Sequence, residues 1–265
     1  NIYVGYRIMK EEIFVYFIGT AGSGKSTLTY NFQQWMNLRK LDAITVNLDP
    51  GAENLPYEPD VDIRDWISLE EVMDSYGLGP NGAQIVCADM LAFNISDLKE
   101  SIELFKTDYI LMDTPGQLEL FAFREAGKYI IKFLNPKKSI IAYIIDPALA
   151  KTASGFASQL LLSINTNFRI GLPQINVLSK TDILLDDELK HIQKWSEDPD
   201  ELYNAVTNEK ASIYREINEK IIDLIREFKT HSKLFPTGKE NFFGIDDIYT
   251  QIQLQFAGGE DLMSD

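Results

Sequence analysis

Gly19-Thr20-Ala21-Gly22-Ser23-Gly24-Lys25-Ser26 decides the reading of this chain. The octet follows the apolar run Ile13-Phe14-Val15-Tyr16-Phe17-Ile18 and precedes a stretch whose composition predicts a helix over residues 25–40. Strand, glycine-rich turn and helix in that order make G-x-x-x-x-G-K-S a P-loop. Gly19, Gly22 and Gly24 carry no side chain, so the backbone can curl around an anion and aim its N–H groups at phosphate oxygens. The positive end of the following helix dipole meets the same space. Lys25 adds a full charge for β- and γ-phosphates, and Ser26 offers a hydroxyl to Mg²⁺. The segment from Thr20 to Thr27 is therefore the expected cradle of a nucleoside triphosphate. A plain glycine turn beside a surface lysine would not need all eight positions.

Composition bounds the rest. At 265 residues and 45% hydrophobic, the chain can bury one large core. We expect one compact domain over residues 9–257, with Met9 as a start residue, residues 1–8 as an extension and residues 258–265 as an acidic tail. A formal charge of −15 argues against sequence-independent binding to nucleic acid or an anionic membrane, which needs lysine and arginine. Cys87 is the single cysteine, so no intrachain disulfide can form, and it reads as a small core residue. Without a signal peptide or a bilayer-length apolar run, a cytoplasmic protein is expected.

Apolar runs alternate with amphipathic segments. That pattern predicts an α/β, three-layer fold, a mostly parallel sheet with helices on both faces. Strands are expected over residues 43–48, 109–112, 139–145, 174–178 and 234–236. Helices are expected over 68–76, 89–105, 117–134, 148–168 and 244–256. Residues 53–65, acidic and containing Pro56 and Pro59, read as a mobile loop, and 77–82 as a turn. Residues 183–230 lack strand signals and read as a helical insertion.

Two further motifs stand at strand ends. Asp113-Thr114-Pro115-Gly116 is D-x-x-G after an apolar strand. A carboxylate there holds Mg²⁺, and the N–H of Gly116 can sense the γ-phosphate. Gln117 follows, where it can orient an attacking water. Ser179-Lys180-Thr181-Asp182 stands where GTPases carry N-K-x-D. Asp182 can accept two hydrogen bonds from guanine that adenine cannot offer, and Lys180 can lay its stem over the base. Ser179 replaces an asparagine that ties this loop to the P-loop, and a serine is expected to make only part of that network. Thr237-Gly238-Lys239 fits the loose S/T-x-K element that touches the guanine carbonyl.

With these in order, Gly79-Pro80-Asn81 becomes informative. Together with Asn47-Leu48-Asp49-Pro50 and Asp62-Ile63-Arg64-Asp65, it makes residues 13–256 resemble the GPN-loop GTPases, an archaeal and eukaryotic family, with an archaeal member the expectation. The resemblance implies Mg²⁺-dependent hydrolysis of GTP to GDP by a homodimer, with Asn81 reaching the partner's site in trans. It also implies that Asp49 lies near Mg²⁺ and the water, that Gln117 and Glu119 position that water, and that an unidentified protein partner exists.

Two other classes of P-loop protein fit the sequence less well. A nucleotide kinase needs an acceptor pocket and commonly an arginine-rich lid, and arginines are sparse here. A MinD-like targeting ATPase usually has an additional lysine early in the P-loop, where this chain has Thr20 and Ala21. Arg64 and Arg124 read as surface ion pairs rather than catalytic groups. His191 and His231 lie in no metal spacing and receive no role.

Overall fold

Seven parallel strands build one sheet in the computed structural model, which describes residues 12–209, 215–227, 233–238 and 240–257. They are β1 (Ile13–Gly19), β2 (Ala43–Asn47), β3 (Val61–Asp62), β4 (Tyr109–Asp113), β5 (Ser139–Ile145), β6 (Gln174–Leu178) and β7 (Leu234–Pro236). Their order is β3-β2-β4-β1-β5-β6-β7. Parallel neighbours need crossovers, and crossovers put helices on both faces. The central strands β1, β4 and β5 are therefore buried on both sides and are almost wholly apolar, whereas the outer strands β3, β6 and β7 are partly exposed. β5 is buried at every residue.

The helices are α1 (Lys25–Leu38), α2 (Leu69–Tyr76), α3 (Pro80–Met90), α4 (Ile95–Glu103), α5 (Leu118–Phe121) and α6 (Glu125–Leu134). There follow α7 (Pro147–Ala150), α8 (Ala153–Ile170), α9 (Asp186–Glu197), α10 (Pro199–Asn208), α11 (Arg215–Glu227) and α12 (Ile245–Ala257). Val15 and Phe17 of β1 face α1 and α12, packing with Phe32, Met36 and Ile248. Phe14, Tyr16 and Ile18 face the other way, into a larger core shared with α2–α4, α6 and α8–α11. β1 thus lies at the centre, and its C-terminal end opens into the P-loop.

Several boundaries differ from the sequence reading. Residues 61–65 are not loop: Val61 and Asp62 pair with Val46 and Asn47, and a short 3₁₀ turn follows, capped by the Asp62 side chain. A two-residue edge strand is too short to show periodicity. The expected turn at 77–82 is half helix, because Gly79 caps α3 and Pro80 opens it. Proline suits a first helical turn, whose N–H has no intrahelical partner. The helix expected over 89–105 is interrupted at residues 91–94, where the Asn94 side chain donates to Met90 O. Those expected over 117–134 and 148–168 are each broken near their starts, into α5 and α6 and into α7 and α8. The expected extension and acidic tail lie outside the described residues, as does Lys239.

Candidate active site

The C-terminal ends of β1, β4, β6 and β7 bring the motifs together along one edge of the sheet, where ligands bind in open α/β folds. Gly24 caps α1 with φ 102°, a backbone state that L side chains rarely adopt. A Cβ at Gly19 would come within 2.6 Å of Ile144 O, so that position too requires glycine. Inside the turn, the Lys25 ammonium donates to Gly19 O (3.0 Å), Thr20 O (2.9 Å) and Gly116 O (2.9 Å). Burial lowers its pKa to about 8, against the pull of Asp113 and Asp49. The hydroxyls of Thr20 and Ser23 are buried with no hydrogen-bond partner, while Ala21 and Gly22 are exposed.

Asp113 is only 1% exposed. Tyr57, from the segment after β2, donates to its Oδ2 at 2.9 Å, and Ser26 also hydrogen-bonds its carboxylate. Burial raises the Asp113 pKa to about 6, against those two hydroxyls and Lys25. Oδ1 has no partner. An orphaned buried carboxylate oxygen beside a P-loop serine fits a cation such as Mg²⁺, which takes one or two carboxylates and completes its shell with water and phosphate. Among the described residues no cluster of three or more acidic, histidine or cysteine side chains competes for a metal.

Asp49 does more than the sequence suggested. Its Oδ2 accepts the Gly116 N–H at 2.8 Å and its Oδ1 the Gly51 N–H at 2.9 Å, while Asn47 holds its backbone N–H. The amide expected to sense a γ-phosphate is thus held by a carboxylate of the same chain. Gln117 caps α5 and donates through Nε2 to Gln84 Oε1 at 3.0 Å. Glu119, in the first turn of α5, and Asn81, in the first turn of α3, are exposed.

The base loop is strapped to the P-loop. Ser179 donates to Ser23 O at 2.5 Å and the Lys180 ammonium donates to Gly22 O. Serine therefore supplies the inter-loop tie that the sequence reading gave to asparagine, from a shorter side chain. Thr181 donates twice to Thr237 O, at 2.9 Å and 3.0 Å, and Thr237 N–H returns to Leu178 O. Asp182, Gly238, Glu240 and Phe243 line a cleft of about 380 Å³. A narrower cleft beside it is lined by Gly24, Thr27, Ser179 and Lys180.

Comparison with known proteins fits this geometry. A family model described as "Conserved hypothetical ATP binding protein" matches residues 17–258. GPN-loop GTPase PAB0955 of Pyrococcus abyssi is 37% identical over 190 residues, 71% of this chain and 75% of that protein. The chain belongs to the GPN-loop GTPase family. GPN-loop GTPase 3 of Kluyveromyces lactis is 35% identical over 216 residues, covering 80% of each chain. The solved apo structure of the Pyrococcus GTPase superposes with a TM-score of 0.81 at 30% identity, covering 91% of this chain and 96% of that one. Archaeal and eukaryotic relatives both match, so the family is shown without a branch within it.

Other candidates have structural explanations. Arg64 grips both oxygens of Asp62 and Ala52 O, and Arg124 pairs with Asp89, so both are the ion pairs expected. His191 stacks on Trp195, and His231 is outside the described residues. The sequence reading missed Tyr57, Gln84, Glu240 and Phe243. Gln84 stands one helical turn after Pro80, a placement that follows only from the start of α3 in the structure. No described helix is long and apolar enough to cross a membrane.

Proposed function

We propose that this GPN-loop family chain is a GTP phosphohydrolase that cuts GTP to GDP and phosphate as a homodimeric conformational switch or assembly factor. One observation carries the reading: Lys25, Asp113 and Gly116 converge on the cradle, while Asp182 lines a cleft that shares Gly238 with the one lined by Gly24, Ser179 and Lys180. The names of the relatives agree with it.

Lys25 would exchange its carbonyl partners for β- and γ-phosphate oxygens, and the P-loop amides would hold the same oxygens. Ser26 and Asp113 would hold Mg²⁺, with Asp49 close by; when bound, the ion neutralises charge on the phosphates. The Gly116 amide would leave Asp49 for the γ-phosphate. Asp49, Gln117 and Glu119 would then fix a water in line with the bond to be cut. Thr237 and Gly238 would stand beside the base read by Asp182, where the S/T-x-K element is expected to touch the guanine carbonyl. Asn81 of the partner subunit would add a polar group at the γ-phosphate, and an unidentified protein partner would receive the change of state. The cytoplasm is the compartment proposed, and an archaeal-type member the branch.

The test compares GTP, ATP and XTP turnover with Mg²⁺ while light scattering follows oligomeric state. GTP should be preferred over ATP. Asp182→Asn should shift preference from GTP to XTP by about a hundredfold or more, because the amide offers a donor where guanine offers one. Preference for ATP, or guanine selectivity unchanged in Asp182→Asn, would refute the reading.

A further inference from the structure

Five groups close a ring at the γ-phosphate end of the site. Asp49 Oδ1 accepts the Gly51 N–H, and Asp49 Oδ2 accepts the Gly116 N–H. Gln117, bonded to Gly116 along the chain, donates through Nε2 to Gln84 Oε1. The amide nitrogen of Gln84 lies against Gly51, so close that a Cβ built there would stand 3.1 Å from it. Gln84 is the member that completes the ring, and it belongs to α3, the helix that Gly79-Pro80-Asn81 opens.

We propose that Gln84 is a positioning residue for hydrolysis: it orients the Gln117 amide and couples the GPN helix of its own subunit to the water-holding segment. The inference rests on the GTPase reading above. An amide that spends its N–H on Gln84 leaves its carbonyl oxygen to accept a hydrogen bond from the attacking water, which is the orientation that aims the water at the phosphate. A single amide-to-amide bond fixes that choice only while its acceptor is present. The contact with Gly51 adds a second restraint, because Gln84 then touches both segments that Asp49 holds. Movement of α3, whose first turn carries the exposed Asn81, must move Gln84 and therefore Gln117.

Gln84→Met keeps length and helix propensity and removes the acceptor, so it tests the bond without emptying the site. It should lower kcat about 3- to 10-fold, the weight of one neutral hydrogen bond, with KM and GDP affinity unchanged. Gln117→Ala should lower kcat further, and the double variant should match Gln117→Ala alone, because Gln84 acts only through Gln117. An unchanged kcat in Gln84→Met, or losses that multiply in the double variant, would overturn the inference while leaving GTP hydrolysis standing. Failure of the wild-type chain to hydrolyse GTP would instead strike the functional reading itself. Binding of GDP with aluminium fluoride, which imitates the transferring phosphoryl group, gives a second readout: Gln84→Met should weaken it by the same factor as kcat, whereas a purely structural role would weaken GDP equally.

Discussion

Two opposite charges buried side by side set the pH behaviour of the cradle. Asp113 stands near 6 because burial outweighs the Ser26 and Tyr57 hydroxyls and Lys25. An unfolded aspartate titrates near ~4, so between about 4 and 6 the folded chain holds a proton that the unfolded chain has lost. Protonation of Asp113 therefore favours the fold fully below about 4, and that advantage is lost as pH rises across the window through 6. The ionised form, present above 6, is the one able to hold a cation. The Mg²⁺ concentration giving half-maximal GTP binding should therefore rise as pH falls below 6, approaching about tenfold per pH unit. Titrating Mg²⁺ against a fluorescent guanine nucleotide at pH 5, 6 and 7 measures it. A flat Mg²⁺ requirement across that range would remove Asp113 from the cation site.

At the scale of elements, affinity depends on loops that touch one another across the sheet edge. The P-loop follows β1 and the base loop follows β6, with β5 between them, and Ser179 to Ser23 O is the buried bond joining them. Ser179→Ala should weaken GDP and GTP alike by about fivefold, one buried hydrogen bond's worth, without changing guanine preference. Equilibrium dialysis against both nucleotides and ATP would show it, and unchanged affinity would mean Lys180 alone suffices as the strap. These loops also show what the sequence made legible. Strands β5, β6 and β7 are legible to the residue because each is a short, mostly apolar segment, and β6 and β7 run directly into the motifs at 179–182 and 237–239. Helices 117–134 and 148–168 were read as continuous because composition does not register the breaks before Glu125 and Ala153, where Arg124 and Thr152 take up extended backbone and a new helix begins. β3 was invisible because its two residues are defined by pairing with β2. In the site, each motif residue could be named from its neighbours in sequence, whereas Tyr57 and Gln84 reach the site over 56 and 33 residues and no local pattern announces them.

For the molecule as a whole, the question is what stands opposite the GPN corner. Asn81 is exposed, and Cβ atoms built at Gly77 and Gly79 meet nothing within 4 Å, so those positions face open space while Leu78 packs against the core and Pro80 lines a cleft in the chain's own body. Within one subunit α3 already serves the site through Gln84, so an arriving Asn81 from a second copy would make each α3 answer to two sites at once. A two-fold dimer permits this, because an isologous contact supplies the same residue in both directions. Asn81→Ala and Lys25→Ala should each be nearly inactive alone. Mixed and allowed to exchange, they form dimers in which the Asn81→Ala subunit keeps its own Lys25 and receives Asn81 from its partner. Hydrolysis should return to about a quarter of wild type at equal mixing, since about half the dimers are mixed and each has one complete site. If Asn81 served only its own subunit, every site in the mixture would lack one of the two residues and no activity would return.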